Sequence, residues 1–194
     1  MRITGGKYCG RTVGVEHGSL EIRPAMDRMR ESVFAVLGDL TGLSFLDLFS
    51  GSGILGLEAA SRGASPVVCI EKDPDKFPTL IRNVSIAEER IECHSMPVER
   101  FLLRNKHAFS IIFCDPPFPY KFREELLRRI ESSATLAPGG LVLMHYPRGE
   151  RLPDSIGNLE LADIREYGRS IVRFYKKSPN AGGDLTAVSP ATSS

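Results

Sequence analysis

Apolar runs mark three strands, over residues 66–71, 108–115 and 141–146, the first two expected to be buried. A fourth run, residues 45–49, reads Phe-Leu-Asp-Leu-Phe and is broken only by Asp47. Between the runs, apolar residues recur at helical spacing. Met29, Val33, Val36 and Leu37 follow Pro24; Ile54, Leu55, Leu57, Ala59 and Ala60 follow a glycine turn; Leu80, Ile81 and Val84 follow Asp73-Pro74. Residues 98–103 predict a short helix. Residues 122–134 predict a longer one that turns Leu126, Leu127 and Ile130 inward and Arg123, Arg128 and Arg129 outward. A weaker strand is expected over residues 90–94. After the turn Ala137-Pro138-Gly139-Gly140 and the strand beyond it, residues 159–166 and 170–176 flank Tyr167-Gly168-Arg169 as an antiparallel hairpin.

Strands alternating with helices imply a Rossmann-like α/β domain over residues 1–177, a mostly parallel seven-stranded sheet with helices on both faces. Residues 1–23 read as a basic N-terminal β-hairpin ahead of it. Residues 178–194, with almost no bulky apolar side chains, are expected to be a disordered tail.

In such sheets ligands gather at the carboxyl ends of the strands. The strand at residues 45–49 runs into Ser50-Gly51-Ser52-Gly53 and then a helix, and Gly51, Gly53 and Gly56 spell G-x-G-x-x-G. That turn lets a ligand approach backbone and helix N–H groups. Asp47 selects among ligands: a fixed negative charge repels a pyrophosphate, whereas S-adenosylmethionine presents an ammonium and a sulfonium. Glu71 lies twenty residues past Gly51, the separation at which the next strand brings a carboxylate to ribose hydroxyls. Phe49, Ser50 and Lys72 flank these positions and join the candidate donor-binding set.

A third strand-end acid, Asp115, opens Asp115-Pro116-Pro117-Phe118. The exocyclic amine of a base is a poor nucleophile because its lone pair is delocalised into the ring. A carboxylate and a carbonyl accepting its two N–H groups would undo that delocalisation and stabilise the charge developing during attack. Asp115 offers the carboxylate, Pro116 or Pro117 the carbonyl, and Phe118 a flat surface for an extruded base. This chemistry calls for no metal.

Composition adds limits. The net charge of +1 is uninformative, but Arg2, Lys7, Arg11, Arg28 and Arg30 crowd the first thirty residues, where they could meet a polyanion or simply be solvated. Cys9, Cys69, Cys93 and Cys114 show neither zinc spacing nor a disulfide framework, and Cys69 and Cys114 are expected as buried thiols. His17, His94, His107 and His145 are scattered and read as structural or exposed. With no apolar signal segment and no run of membrane-spanning length, the expectation is a soluble, cytoplasmic protein.

The segments MRITGGKYCGR, RPAMDRMRES, DLFSGSGILGLEA, VVCIEKD, IIFCDPPF and YGRSIVRFY together resemble the RsmD-type ribosomal RNA methyltransferases, which modify guanine N2 in small-subunit 16S RNA. The resemblance implies a class I S-adenosylmethionine-dependent methyltransferase fold acting on 16S rRNA, within a small ribosomal subunit or its assembly intermediate. It implies that Asp47, Gly51, Gly53 and Glu71 contact the methyl donor and that Asp115 to Phe118 hold the guanine. Arg28 and Arg30 belong to the entrance, and the basic hairpin lies on RNA. Where the family carries an acidic or amide residue after strand three, this chain reads Ser95-Met96-Pro97, which passes adenine contact to Ser95 or to backbone. The rivals are a DNA or RNA adenine-N6 or cytosine-N4 amino-methyltransferase, a non-catalytic RNA-binding assembly factor and, more distantly, a NAD-dependent oxidoreductase, which Asp47 opposes.

Overall fold

The computed structural model describes residues 1–14 and 23–179. The expected tail beyond residue 179, and residues 15–22 of the expected hairpin, lie outside the described residues. Element order is α1 (Arg23–Leu37), β1 (Phe45–Leu48), α2 (Ile54–Ser61), β2 (Val67–Glu71), α3 (Phe77–Val84), β3 (Ile91–Ser95), α4 (Val98–Arg104), β4 (Phe109–Cys114), α5 (Arg123–Ser132), β5 (Leu136–Pro147), β6 (Ser155–Ile156), β7 (Leu159–Tyr167) and β8 (Ser170–Lys177).

The strands form one sheet in the order β3-β2-β1-β4-β5-β8-β7-β6. β3 through β5 in that order are parallel, and β8, β7 and β6 add antiparallel pairs. The sheet thus has eight strands among the described residues, where the sequence predicts seven. The extra one, β6, is two residues long and pairs with the start of β7 through the Gly157 turn, too short to leave a periodicity. The Ala137–Gly140 turn lies inside β5, where it shifts the register between Phe109↔Leu136 and Ile111↔Leu141.

Strand alternation divides the core. Phe45, Ile111, Phe113 and Leu143 pack with α1, α2 and α3; Leu46, Leu48, Ile112, Val142 and Met144 pack with α4 and α5. Cys69 and Cys114 are buried thiols, as expected. Two helix faces are rotated from expectation. Val36 and Ile81 are exposed, and α1 instead buries Met29, Arg30, Val33 and Phe34.

Arg30 is buried because it belongs to a network around Glu58, a fully buried acid on α2. Glu58 accepts from Thr4 N–H (2.8 Å), Thr4 Oγ1 (2.6 Å) and the Arg62 guanidinium (3.1 Å), with Arg30 Nε at 3.6 Å. Arg30 also donates to the Arg2 carbonyl and pairs with Asp27. This network, rather than local capping, accounts for Asp27 and Arg30 within RPAMDRMRES.

In the described part of the N-terminal segment, residues 1–3 and 11–13 pair antiparallel about the Arg2↔Thr12 bridge, with Ile3 N–H on the Arg11 carbonyl and Val13 N–H on the Met1 carbonyl, 2.9 Å each. The segment's partner is α2. Gly6 (φ 75°) sits so close that a Cβ would fall 1.7 Å from the Ser61 carbonyl oxygen, while Lys7 N–H caps that carbonyl and Tyr8 N–H bonds Ser61 Oγ. Ile3, Tyr8 and Val13 enter the core. Packing on α2 thus satisfies the Lys7 and Tyr8 N–H groups at the tip of the loop.

Candidate active site

β1 lies between β2 and β4, where the strand order reverses, so the crevice expected at a topological switch point falls over its carboxyl end. There the chain turns at Phe49, whose φ of 69° places an aromatic residue in the left-handed region. Such a conformation costs of order 1–3 kcal/mol and is found at functional sites. It sets the Phe49 ring edge-on to Tyr120, with centroids 5.3 Å apart.

The glycines that follow divide their work. A Cβ on Gly51 (φ 52°) would meet nothing within 4 Å, so that residue faces open space. One on Gly53 would lie 2.4 Å from Leu80 Cδ1 and one on Gly56 2.5 Å from Cys69 Sγ. Those two hold α2 close to α3 and β2. Over Gly51 opens a cavity of about 310 Å³, walled by Met1, Met26, Met29, Arg30, Phe49, Ser50, Gly51 and Asp115 among others.

Asp47 lies beneath this turn, fully buried, with neither carboxylate oxygen hydrogen-bonded among the described residues. Burial pushes its carboxyl well above the usual range, and the charges of Asp115 and Glu71 push the same way. The Gly56 N–H and the Ser50 hydroxyl, which itself donates to the Asp47 backbone carbonyl, lie near enough to moderate the effect without closing a hydrogen bond to either carboxylate oxygen. An orphaned acid under a ligand-facing turn fits a cationic donor such as S-adenosylmethionine, which would favour its ionised form.

Because the native state holds this proton more tightly than the unfolded chain, the associated stability is present at low pH and lost as pH rises through the raised native value. Asp47→Asn stays neutral throughout. The donor-free variant is therefore expected to melt above the parent at neutral pH, while its affinity for S-adenosylmethionine falls roughly 10- to 100-fold, the scale of one interaction with a charged group. Thermal melts and titration calorimetry check both; unchanged donor affinity would remove Asp47 from the site.

Glu71, buried at the end of β2, ties that strand to the turn: Oε2 accepts Gly51 N–H and Oε1 accepts Asp73 N–H, each at 2.8 Å. Each oxygen keeps lone-pair capacity for ribose hydroxyls. Beyond it, Lys72, Phe49, Ile70, Val98, Glu99 and Tyr120 line a slot of about 20 Å³, room for a single water. The Tyr120 hydroxyl donates to Glu99 (3.1 Å), and burial, then Glu99, pushes its ionisation upward. Ser95 is exposed at the end of β3 and does not line this slot.

Asp115 stands in the wall of the larger cavity, and His145 Nδ1 lies 2.6 Å from its Oδ1. Pro116 is buried, while Pro117 and Phe118 are exposed. The loop is held from below by Arg123, which is 1% exposed and not outward as expected. Arg123 Nη2 donates to the carbonyls of Pro117 and Phe118 (3.1 Å each); Nη1 donates to the Tyr120 carbonyl and to Glu150 Oε2 (2.6 Å). Pro117 O also accepts Tyr120 N–H, whereas the Pro116 carbonyl has no donor among the described residues. A signal for Arg123 was available: it shares the i, i+3, i+4, i+7 stripe of Leu126, Leu127 and Ile130.

The expected basic set separates. Lys7 pairs with Glu88 and Glu89, at 2.9 and 2.8 Å, beside the carboxyl end of α2, and the contact holds Glu89 down at about 2. Arg11 donates to the Ile86 carbonyl. One helix of eight residues, about 12 Å, separates that end from Gly51. Arg2 and Arg28 are exposed, whereas Arg30 is part of the cavity wall.

Residues 1–176 match the family model described as Conserved hypothetical protein 95. The chain is 31% identical to the putative rRNA methyltransferase YlbH of Bacillus subtilis, over 91% of this chain and 99% of that one. It is likewise 31% identical to ribosomal RNA small subunit methyltransferase D of Escherichia coli, over 95% and 93%. Among solved structures, the putative methyltransferase yhhF of Escherichia coli superimposes with a TM-score of 0.83 at 30% identity, over 93% and 99%.

Proposed function

Since the chain belongs to the RsmD family, described as Conserved hypothetical protein 95, and is thereby an S-adenosylmethionine-dependent rRNA methyltransferase, we propose that it methylates the exocyclic N2 amine of a guanine in small-subunit 16S rRNA. The observation that carries this reading is Asp115 in the wall of the cavity over Gly51, one carboxylate oxygen taken by His145 and the other without a partner among the described residues, next to a Pro116 carbonyl equally free.

S-adenosylmethionine supplies an electrophilic methyl group on a sulfonium. Gly51 and Glu71 hold the donor's ribose side, with Asp47 beneath as counter-charge; Phe49, Ser50 and Lys72 flank it. Asp115 Oδ2 and the Pro116 carbonyl accept the two N–H groups of the amine, which pulls its lone pair out of conjugation. Phe118, 43% exposed, supports the extruded base. As the N–C bond forms and the C–S pair returns to sulfur, the amine sheds a proton, for which Asp115 is the base in the wall.

The RNA meets the carboxyl rim of the sheet. Arg28 lies between cavity-lining Met26 and Met29, Lys121 follows Tyr120, and Arg148 N–H bonds the Arg169 carbonyl beside the end of β5. All four side chains are exposed. Because Arg148 pairs with Glu166 at 2.7 Å, Lys121 and Arg169 carry the test: replacing both by Ala is expected to weaken RNA binding and to reduce its logarithmic salt slope by about one per lost phosphate contact. Lys7→Ala, whose charge is committed to two glutamates, is expected to change the slope little. The reverse result would move the RNA to the loop that packs on α2.

In this reading the target is selected by the shape that a small ribosomal subunit or its assembly intermediate presents, a substrate met in the cytoplasm. The test is incubation with labelled donor and unmodified small subunits, then nucleoside analysis. Label on guanine N2 is expected. Label on adenine N6 or cytosine N4 would replace the base assignment, and donor binding without transfer would favour an assembly factor.

A further inference from the structure

β4 and β5 run parallel in the register Cys114↔Met144, which puts the next residues, Asp115 and His145, side by side at the strand ends. The His145 side chain is 4% exposed. Its Nδ1 lies 2.6 Å from Asp115 Oδ1, its Nε2 is buried without a partner among the described residues, and its ring centroid is 5.8 Å from that of Phe118 at an interplanar angle of 60°. One ring thus touches both the carboxylate and the aromatic platform assigned to the methyl acceptor.

The contact fixes where the protons are. An ionised carboxylate only accepts, so Nδ1 carries a hydrogen. A second hydrogen on Nε2 would be a buried cationic donor with no acceptor, costlier than a buried lone pair. The neutral Nδ1–H form satisfies both constraints. Asp115 needs such a partner because the terminal torsion of an aspartate is broad. Left to rotate, it would present either oxygen, or neither, to the amine.

We propose that His145 is a positioning residue for methyl transfer: its Nδ1–H occupies Asp115 Oδ1, leaves Oδ2 as the single oxygen offered to the acceptor amine, and backs the Phe118 ring on which the base rests. This rests on the reading of Asp115 as the amino-group acceptor.

His145→Asn keeps an N–H donor near the Nδ1 position, while His145→Leu fills similar volume without one. Against small-subunit particles, His145→Leu is expected to lower kcat roughly 10- to 100-fold, the scale of displacing rather than removing a reacting group, with donor Kd and RNA KM nearly unchanged. His145→Asn is expected to recover most of the loss. Equal loss in both variants, or none in either, overturns the proposal. Asp115→Ala run in parallel separates the two readings. Normal turnover there defeats the Asp115 assignment itself, whereas an inactive Asp115→Ala beside a fully active His145→Leu defeats only the role of His145. Nitrogen-15 spectra of the unmutated protein decide independently of how the variants fold: the ring should be protonated at Nδ1 and bare at Nε2, and the opposite tautomer overturns the inference.

Discussion

Asp115→Ala should bind S-adenosylmethionine as the parent does and lose about 10²- to 10³-fold in turnover, the scale seen when one preorganised polar group aimed at developing charge is deleted. The separation of the two effects follows from geometry. Glu71 and Gly51 are joined to each other by a 2.8 Å hydrogen bond that does not involve Asp115, so the donor side of the site survives the change. Removing a negative charge that pushes the Asp47 carboxyl upward should, if anything, ease Asp47 toward its ionised form and favour a cationic donor slightly. What disappears is the acceptor for one N–H of the amine. Single-turnover transfer to small subunits, with donor affinity measured separately, reads the two quantities. Lost donor binding with normal transfer per bound complex would assign Asp115 to the donor and leave the amine without a recognised partner.

Arg123→Ala should damage both stability and chemistry. The guanidinium is nearly inaccessible and engages the carbonyls of Pro117, Phe118 and Tyr120 together with Glu150. Its loss leaves two of those carbonyls and a carboxylate to find water or go unpaired, while Pro117 O keeps the Tyr120 N–H. Breaking a buried pair of this kind costs about 3–5 kcal/mol, here nearer the lower figure because the Glu150 side chain is 31% exposed. For a domain of this size that is a fall in Tm on the order of 10 °C. Turnover should drop as the loop bearing Phe118 loses its support, while donor binding holds. Arg123→Lys restores the charge but not the planar fork, so part of the stability and little of the turnover should return. A normal Tm would mean that the loop is held by Tyr120 and the prolines alone.

The elements we assign to the donor could be read from the sequence because each is local. A strand buried on both faces, a turn demanding glycine and a helix starting at once all lie within residues 45–61, and Glu71 and Asp115 follow similar apolar runs. The two buried arginines were legible in principle. Arg30 with Val33, Phe34 and Leu37, and Arg123 with Leu126, Leu127 and Ile130, occupy the inward positions of their helices; charge outweighed spacing in the expectation, and burial of a paired guanidinium reverses that order. β6 was too short to announce itself.

Sequence alone therefore determined the α/β class, the glycine turn, the strand-end acids and the family. Only the tertiary structure decided which groups meet. Asp115 finds His145 thirty residues away through the β4–β5 register, and Lys7 loses its free charge to Glu88 and Glu89, eighty-one and eighty-two residues on. Backbone propensity and apolar periodicity act over one or two turns of chain, whereas the partner of a side chain at a strand end is set by strand order and register, which exist only once distant segments have packed.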